Sequence, residues 1–212
     1  MQWCSDELVE IAANCLIKRA LDDDLEQTVY GFDSLKELKI HTLLEEFFLN
    51  TNFGVWREVR YPKEWHKSKK SEGIRCDFVL TPDGLPLKDP ELSGTLFGDA
   101  VESVSAEEAY WMEVKVVREF DYGQLSKKYS NDLKCPVKND ILKIWSDGRL
   151  KHGGLLLMLY TADQATGMRD VLKWYELIQQ KGLPIRYPAL KDFKITERTG
   201  NGWCTIALFE VE

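Results

Sequence analysis

Zinc-site and disulfide patterns are missing from this chain. Its five cysteines, at 4, 15, 76, 135 and 204, form no CxxC pair, and their number is odd. That argues against a disulfide framework or a cysteine-built zinc site, and points to reduced thiols in a cytoplasmic setting. The three histidines include no HExxH, the spacing of a helical zinc protease. Long apolar runs are lacking too. The longest, LLLMLY at 155–160, is far too short to span a bilayer, so no membrane partner is expected. The start, MQWCSDELVE, has neither a basic nor an apolar leader region, so no signal peptide is expected. Internal repeats and low-complexity segments are absent. Positive charge is in deficit: 28 Lys and Arg face 35 Asp and Glu, a net charge of −7. Bulk attraction to a polyanion is therefore excluded, and any nucleic-acid contact must come from a local basic patch or from metal ions.

What is present suffices for a folded domain. Hydrophobic residues make up 44% of 212, which excludes wholesale disorder. Leu8, Ile11, Ala12, Cys15 and Leu16 recur at helical spacing after Ser5, predicting a helix to about Ala20. The acidic LDDDLEQTVYGFD reads as a linker, with or without a short helix in it. Leu35, Leu38, Leu43, Leu44, Phe47 and Phe48 predict a second helix from Ser34 to about Asn50. VWREVRY (55–61), IRCDFVLT (74–81) and YWMEVKVV (110–117) read as strands, the last two separated by a long Pro- and Gly-bearing loop. Residues 121–147 read as mostly helical, GGLLLMLYT as a strand buried on both faces, Asp163 to Gln180 as a helix with Asp163 as its N-cap, and WCTIALFEVE as a final strand. The order α-α-β-β-β-α-β-α-β predicts an α/β fold: a mixed central sheet with helices on both faces. Residues 1–212 read as one domain, with 1–32 as an N-terminal helical extension.

Two strands carry charge where apolar residues are expected. Glu113 and Lys115 stand two apart within YWMEVKVV, so they share a strand face. Asp77 interrupts IRCDFVL in the same way. If the two strands pair, the three side chains converge. Carboxylate oxygens, with the Val114 carbonyl, are hard donors suited to Mg²⁺ or Mn²⁺. A neighbouring ammonium can stabilise charge developing on a phosphate. The bland alternative is a half-exposed strand carrying a structural ion pair.

With Asp77 on one strand and Glu113-Val114-Lys115 on the next, the chain resembles the PD-(D/E)xK nuclease superfamily, which has the restriction-endonuclease-like fold. The resemblance covers roughly residues 34–161: a helix, three strands, a helix and a buried strand. ExK by itself is weak, since Glu37-Leu38-Lys39 repeats it, so the succession of elements gives the match its weight. Cys76 stands where the motif carries a proline that family members often lack. The resemblance implies that Asp77 and Glu113 bind divalent metal, Mg²⁺ or Mn²⁺, and that Lys115 positions the attacking water. It also implies a further carboxylate from the first core helix. Glu37, Glu45 and Glu46 compete for that place, and the helix direction favours Glu37. Ser34-Leu35-Lys36-Glu37 is equally a capping box. Glu45 reads as a solvated helix residue, and Glu58 as a ligand or an exposed strand residue. Gln124, after the third strand, is where members place a Gln or Lys near the scissile phosphate.

Lys63, Lys67, Lys69, Lys70 and Arg75, with Trp65, form a basic loop leading into Asp77. Cations there could hold phosphates and Trp65 could stack on a base, or the loop is merely solvated. Asp140 and Lys143 read as a surface i,i+3 pair, and Trp145, Trp174 and Trp203 as packing residues. The expected function is a metal-dependent nuclease that hydrolyses phosphodiester bonds, in DNA ahead of RNA. Its expected partners are nucleic acid and either a second copy of the chain or another protein. The alternative is a catalytically silent scaffold of the same fold that binds nucleic acid or a protein.

Overall fold

A computed structural model describes residues 3–67, 72–88 and 102–212. Helices α1 (Ser5–Leu25) and α2 (Glu37–Leu49) come first, separated by a 3-10 turn at Phe32–Ser34. Strands β1 (Gly54–Arg60), β2 (Arg75–Thr81) and β3 (Tyr110–Arg118) follow, then a short hairpin of β4 (Phe120–Asp121) and β5 (Gln124–Leu125). Helix α3 (Tyr129–Trp145), β6 (His152–Thr161), α4 (Gln164–Gln180), β7 (Ala189–Lys194) and β8 (Trp203–Glu210) complete the chain. The main sheet has six strands in the order β1-β2-β3-β6-β8-β7. Strands β3 and β6 pair in parallel across the α3 crossover, and every other neighbour in this sheet is antiparallel. The fold is thus α/β, a mixed sheet between two helical layers.

Alternation along β6 shows how the sheet divides the core. Leu156, Met158 and Tyr160 pack with α1 and α2, while Leu155, Leu157 and Leu159 pack with α3 and α4. A strand covered on both faces has no solvated side, which is why GGLLLMLY is apolar throughout. On β3, Tyr110, Met112 and Val114 join the α1–α2 layer, and Trp111 and Val117 face the other way. Glu113, in phase with Trp111 and Val117, therefore belongs to the α3 side, whereas the Lys115 ammonium reaches the sheet edge beside Glu37 of α2.

Several local expectations are corrected. Helix α1 runs past Ala20 to Leu25, so the aspartate run is helical. Its Asp23 is buried and satisfied: Arg19 donates to it at 2.5 Å and the Phe32 N–H at 2.7 Å. Leu8, Val9, Ala12 and Leu16 of α1 belong to the main core. Ser34 lies in the 3-10 turn, α2 starts at Glu37, and no side chain caps it, so the capping box does not form. Residues 120–125 form a hairpin, turned at Tyr122 and Gly123, both with positive φ. Helix α3 then contains Pro136 without ending there. Strand β7, ALKDFK, is hidden in the sequence by its mixed polarity, as suits an edge. Asp163 does cap α4, accepting from the Thr166 N–H at 2.8 Å.

Candidate active site

The sequence-predicted residues meet where β2 leaves β3. The β2–β3 ladder runs from Leu80↔Tyr110 to Phe78↔Met112 and stops there. Alternate N–H groups of a strand point to one side, so beyond Met112 those of Val114 and Val116 face the side β2 has left. Two carboxylates take its place. Asp77 accepts from the Val114 N–H at 2.8 Å, and Glu37 accepts from the Val116 N–H at 3.2 Å. The Val114 carbonyl points the same way as its N–H, toward Asp77. Glu37 also holds the Lys115 ammonium at 2.9 Å. As the first residue of α2, Glu37 is free of capping duty and reaches β3 instead.

Glu113 is the most buried charge of the group, 1% exposed. It accepts from the Tyr61 hydroxyl at 2.7 Å, and Lys143 lies 3.3 Å from its other oxygen. Tyr61 is itself fully buried and stacks on Trp111 with ring centroids 5.4 Å apart. Lys143 also contacts Asp140 at 2.7 Å. Burial, and then repulsion from Asp77, push the Glu113 carboxyl up to about 8. Burial raises the Asp140 carboxyl as well. The Lys143 ammonium is held above its ordinary value: burial opposes its charge, but Glu113 and Asp140 outweigh that. Asp140 and Lys143 are therefore not the surface pair expected.

These partners had a sequence signal. Asp140 lies in the stripe Val137, Asp140, Ile141, Ile144, all buried, so its phase placed it inward. His41 shares the α2 stripe with Leu44 and Phe48 in the same way. It is 2% exposed, packs edge-on against Phe78, and neither ring nitrogen has a hydrogen-bond partner. Burial lowers its pKa. Tyr61 carries no periodic signal that distinguishes it from a core aromatic.

Other candidates stand apart. Glu45 pairs with Arg57 at 2.9 Å. Glu58 is exposed on β1, and its φ of 53° puts a non-glycine residue in the left-handed region in mid-strand. In the basic loop, Lys63 donates to the Ser146 hydroxyl at 2.5 Å and sits over the Tyr61 ring. Trp65 donates to the Arg60 carbonyl at 2.9 Å, Lys67 pairs with Glu64, and Arg75 donates to the Glu58 carbonyl. These side chains are tied into the fold rather than gathered as a free cationic patch. Lys69 and Lys70 lie outside the described residues. Gln124 is exposed on β5, not on a helix. Trp174 is buried, whereas Trp145 is half exposed.

Among the described residues, no group of three or more His, Cys, Asp or Glu side chains is arranged to hold a metal ion. Asp77, Glu113 and the Val114 carbonyl offer two carboxylates and one carbonyl. That number suits Mg²⁺, which keeps several waters and takes one or two carboxylates beside a substrate phosphate. Burial and the neighbouring Asp77 disfavour the Glu113 charge, which a divalent cation held between the two carboxylates would offset. No helix among the described residues is long and apolar enough to cross a membrane. Comparison with protein-family models, curated proteins and solved structures gave no match.

Proposed function

We propose that this protein is a metal-dependent nuclease, hydrolysing phosphodiester bonds in DNA ahead of RNA, on a restriction-endonuclease-like core. The observation that carries the reading is the notch where β2 leaves β3. There Asp77, the Val114 carbonyl and Lys115 gather on one strand edge, beside a Glu113 whose charge burial and the neighbouring Asp77 disfavour. The succession α2-β1-β2-β3-α3-β6 is also the one the resemblance to PD-(D/E)xK nucleases implies.

In the proposed mechanism Asp77 and Glu113, with the Val114 carbonyl, would hold a divalent cation. Once bound, that ion supplies a water of lowered pKa and offsets charge on the phosphate. Lys115 brings a fixed ammonium to the same edge, where it orients the attacking water and stabilises charge developing on the phosphoryl oxygens. Glu37 is a positioning residue: its two oxygens fix the Lys115 ammonium and the Val116 N–H together. Tyr61 fixes one oxygen of Glu113, leaving the other to face α3.

One observation favours the silent scaffold instead. Each charged group already has an internal partner: Asp77 the Val114 N–H, Glu37 and Lys115 each other, Glu113 both Tyr61 and Lys143. Such a set would also serve as plain structural polarity. The two readings part on cleavage. Plasmid, linear duplex, single-stranded and branched DNA and RNA would be offered with Mg²⁺ or Mn²⁺ to the wild type, Asp77→Asn and Lys115→Ala. Metal-dependent cutting lost in both variants supports the nuclease. No cutting on any substrate favours the scaffold, and cutting that survives Asp77→Asn removes the cleavage from this site.

A further inference from the structure

The nuclease reading leaves Lys143 and its partner Asp140 without a task. Lys143 reaches from α3 to two buried carboxylates, 2.7 Å from Asp140 and a looser 3.3 Å from Glu113. Both carboxyls are buried, Glu113 1% and Asp140 8% exposed, and one ammonium is shared between them. The other oxygen of Glu113 is fixed by Tyr61, so the oxygen facing Lys143 is the one left to exchange partners. The Lys143 side chain is 31% exposed, which gives it room to move.

We infer that Lys143 is a built-in counter-cation that occupies Glu113 in the absence of metal and withdraws wholly onto Asp140 when a divalent cation binds. The inference rests on the metal-site reading above. Its logic is charge balance. A buried carboxylate left without a cation is strongly disfavoured, so an empty metal site needs a substitute. A dication attracts Glu113 more strongly than an ammonium does, and it repels Lys143. Asp140 then keeps Lys143 paired, so the exchange strands no charge. A monovalent ion lacks this advantage over the resident ammonium, and the site selects for charge as well as for oxygen ligation.

The test is calorimetric titration of the full chain with Mn²⁺ near neutral pH. Removing the competing charge in Lys143→Met should tighten binding by about tenfold or more, since a like charge next to the ion is lost. Asp140→Asn, which frees Lys143 to stay on Glu113, should weaken binding by at least about threefold. Lys191→Met is the control for a general loss of positive charge. Its ammonium pairs with Glu10 on α1, away from the site, and its effect should stay below about threefold. Unchanged or weaker binding in Lys143→Met, or tighter binding in Asp140→Asn, overturns the inference while leaving the metal site standing. Absence of Asp77-dependent heat in both the wild type and Lys143→Met removes the metal site and this inference with it.

Discussion

Replacing Glu113 with glutamine isolates the charge that β3 holds at greatest cost. An ordinary glutamate ionises near 4.5, whereas burial and Asp77 push Glu113 up to about 8. The sign follows from which state binds the proton more tightly. Below about 4.5 both folded and unfolded chains are protonated at this site. As pH rises further, the unfolded chain ionises while the native one keeps its proton, so stability falls until about 8, where the native group ionises too. The full gap is worth at most roughly 5 kcal/mol. In Glu113→Gln the new amide would imitate the protonated acid and its carbonyl would still accept from Tyr61, so the variant should lack this decline. Urea unfolding followed by circular dichroism, repeated across that pH range, reads it directly. The variant should be the more stable protein at the alkaline end, with a shallower slope that reflects Asp140. Parallel curves for the two proteins would refute the assignment of a raised pKa to Glu113.

Two further substitutions separate chemistry from scaffolding. Lys115→Ala breaks a pair that is 22% and 34% exposed, so it should cost only about 1 kcal/mol in urea unfolding. It should nonetheless reduce any metal-dependent cleavage by at least about a hundredfold while leaving Mn²⁺ binding in place. His41→Leu removes two buried nitrogens that have no partner and keeps the side chain apolar against Phe78. It should raise stability by about 1 kcal/mol, seen as a higher urea midpoint. A lower midpoint would mean that a bound water or ion satisfies that ring.

Periodicity makes most of this architecture legible. The double-sided burial of β6 and the in-phase charges of β3 can be read from LLLMLY and MEVKV, because a strand's period of two admits no other placement. The end of the β2–β3 ladder cannot be read. The ladder ends at Phe78↔Met112, and no residue type marks that point. Yet that ending exposes the Val114 and Val116 N–H groups and so explains what Asp77 and Glu37 do. Asp140 misleads for a different reason. Its i,i+3 lysine suggests solvent, while the apolar phase of Val137, Ile141 and Ile144 points inward, and packing prevails over the local pair. Strand β7 escapes because an edge strand with one covered face need not alternate cleanly.

The central claim is that Asp77 and Glu113 form a divalent-metal site, and calorimetry with Mn²⁺ on the wild type and Asp77→Asn tests it most directly. Asparagine keeps an oxygen to accept from the Val114 N–H, so the notch should stay folded while its ligand charge is lost. The account predicts saturable binding to the wild type and a loss of at least about tenfold in affinity for Asp77→Asn at unchanged stability. Equal binding by both proteins, or none by either, would contradict it.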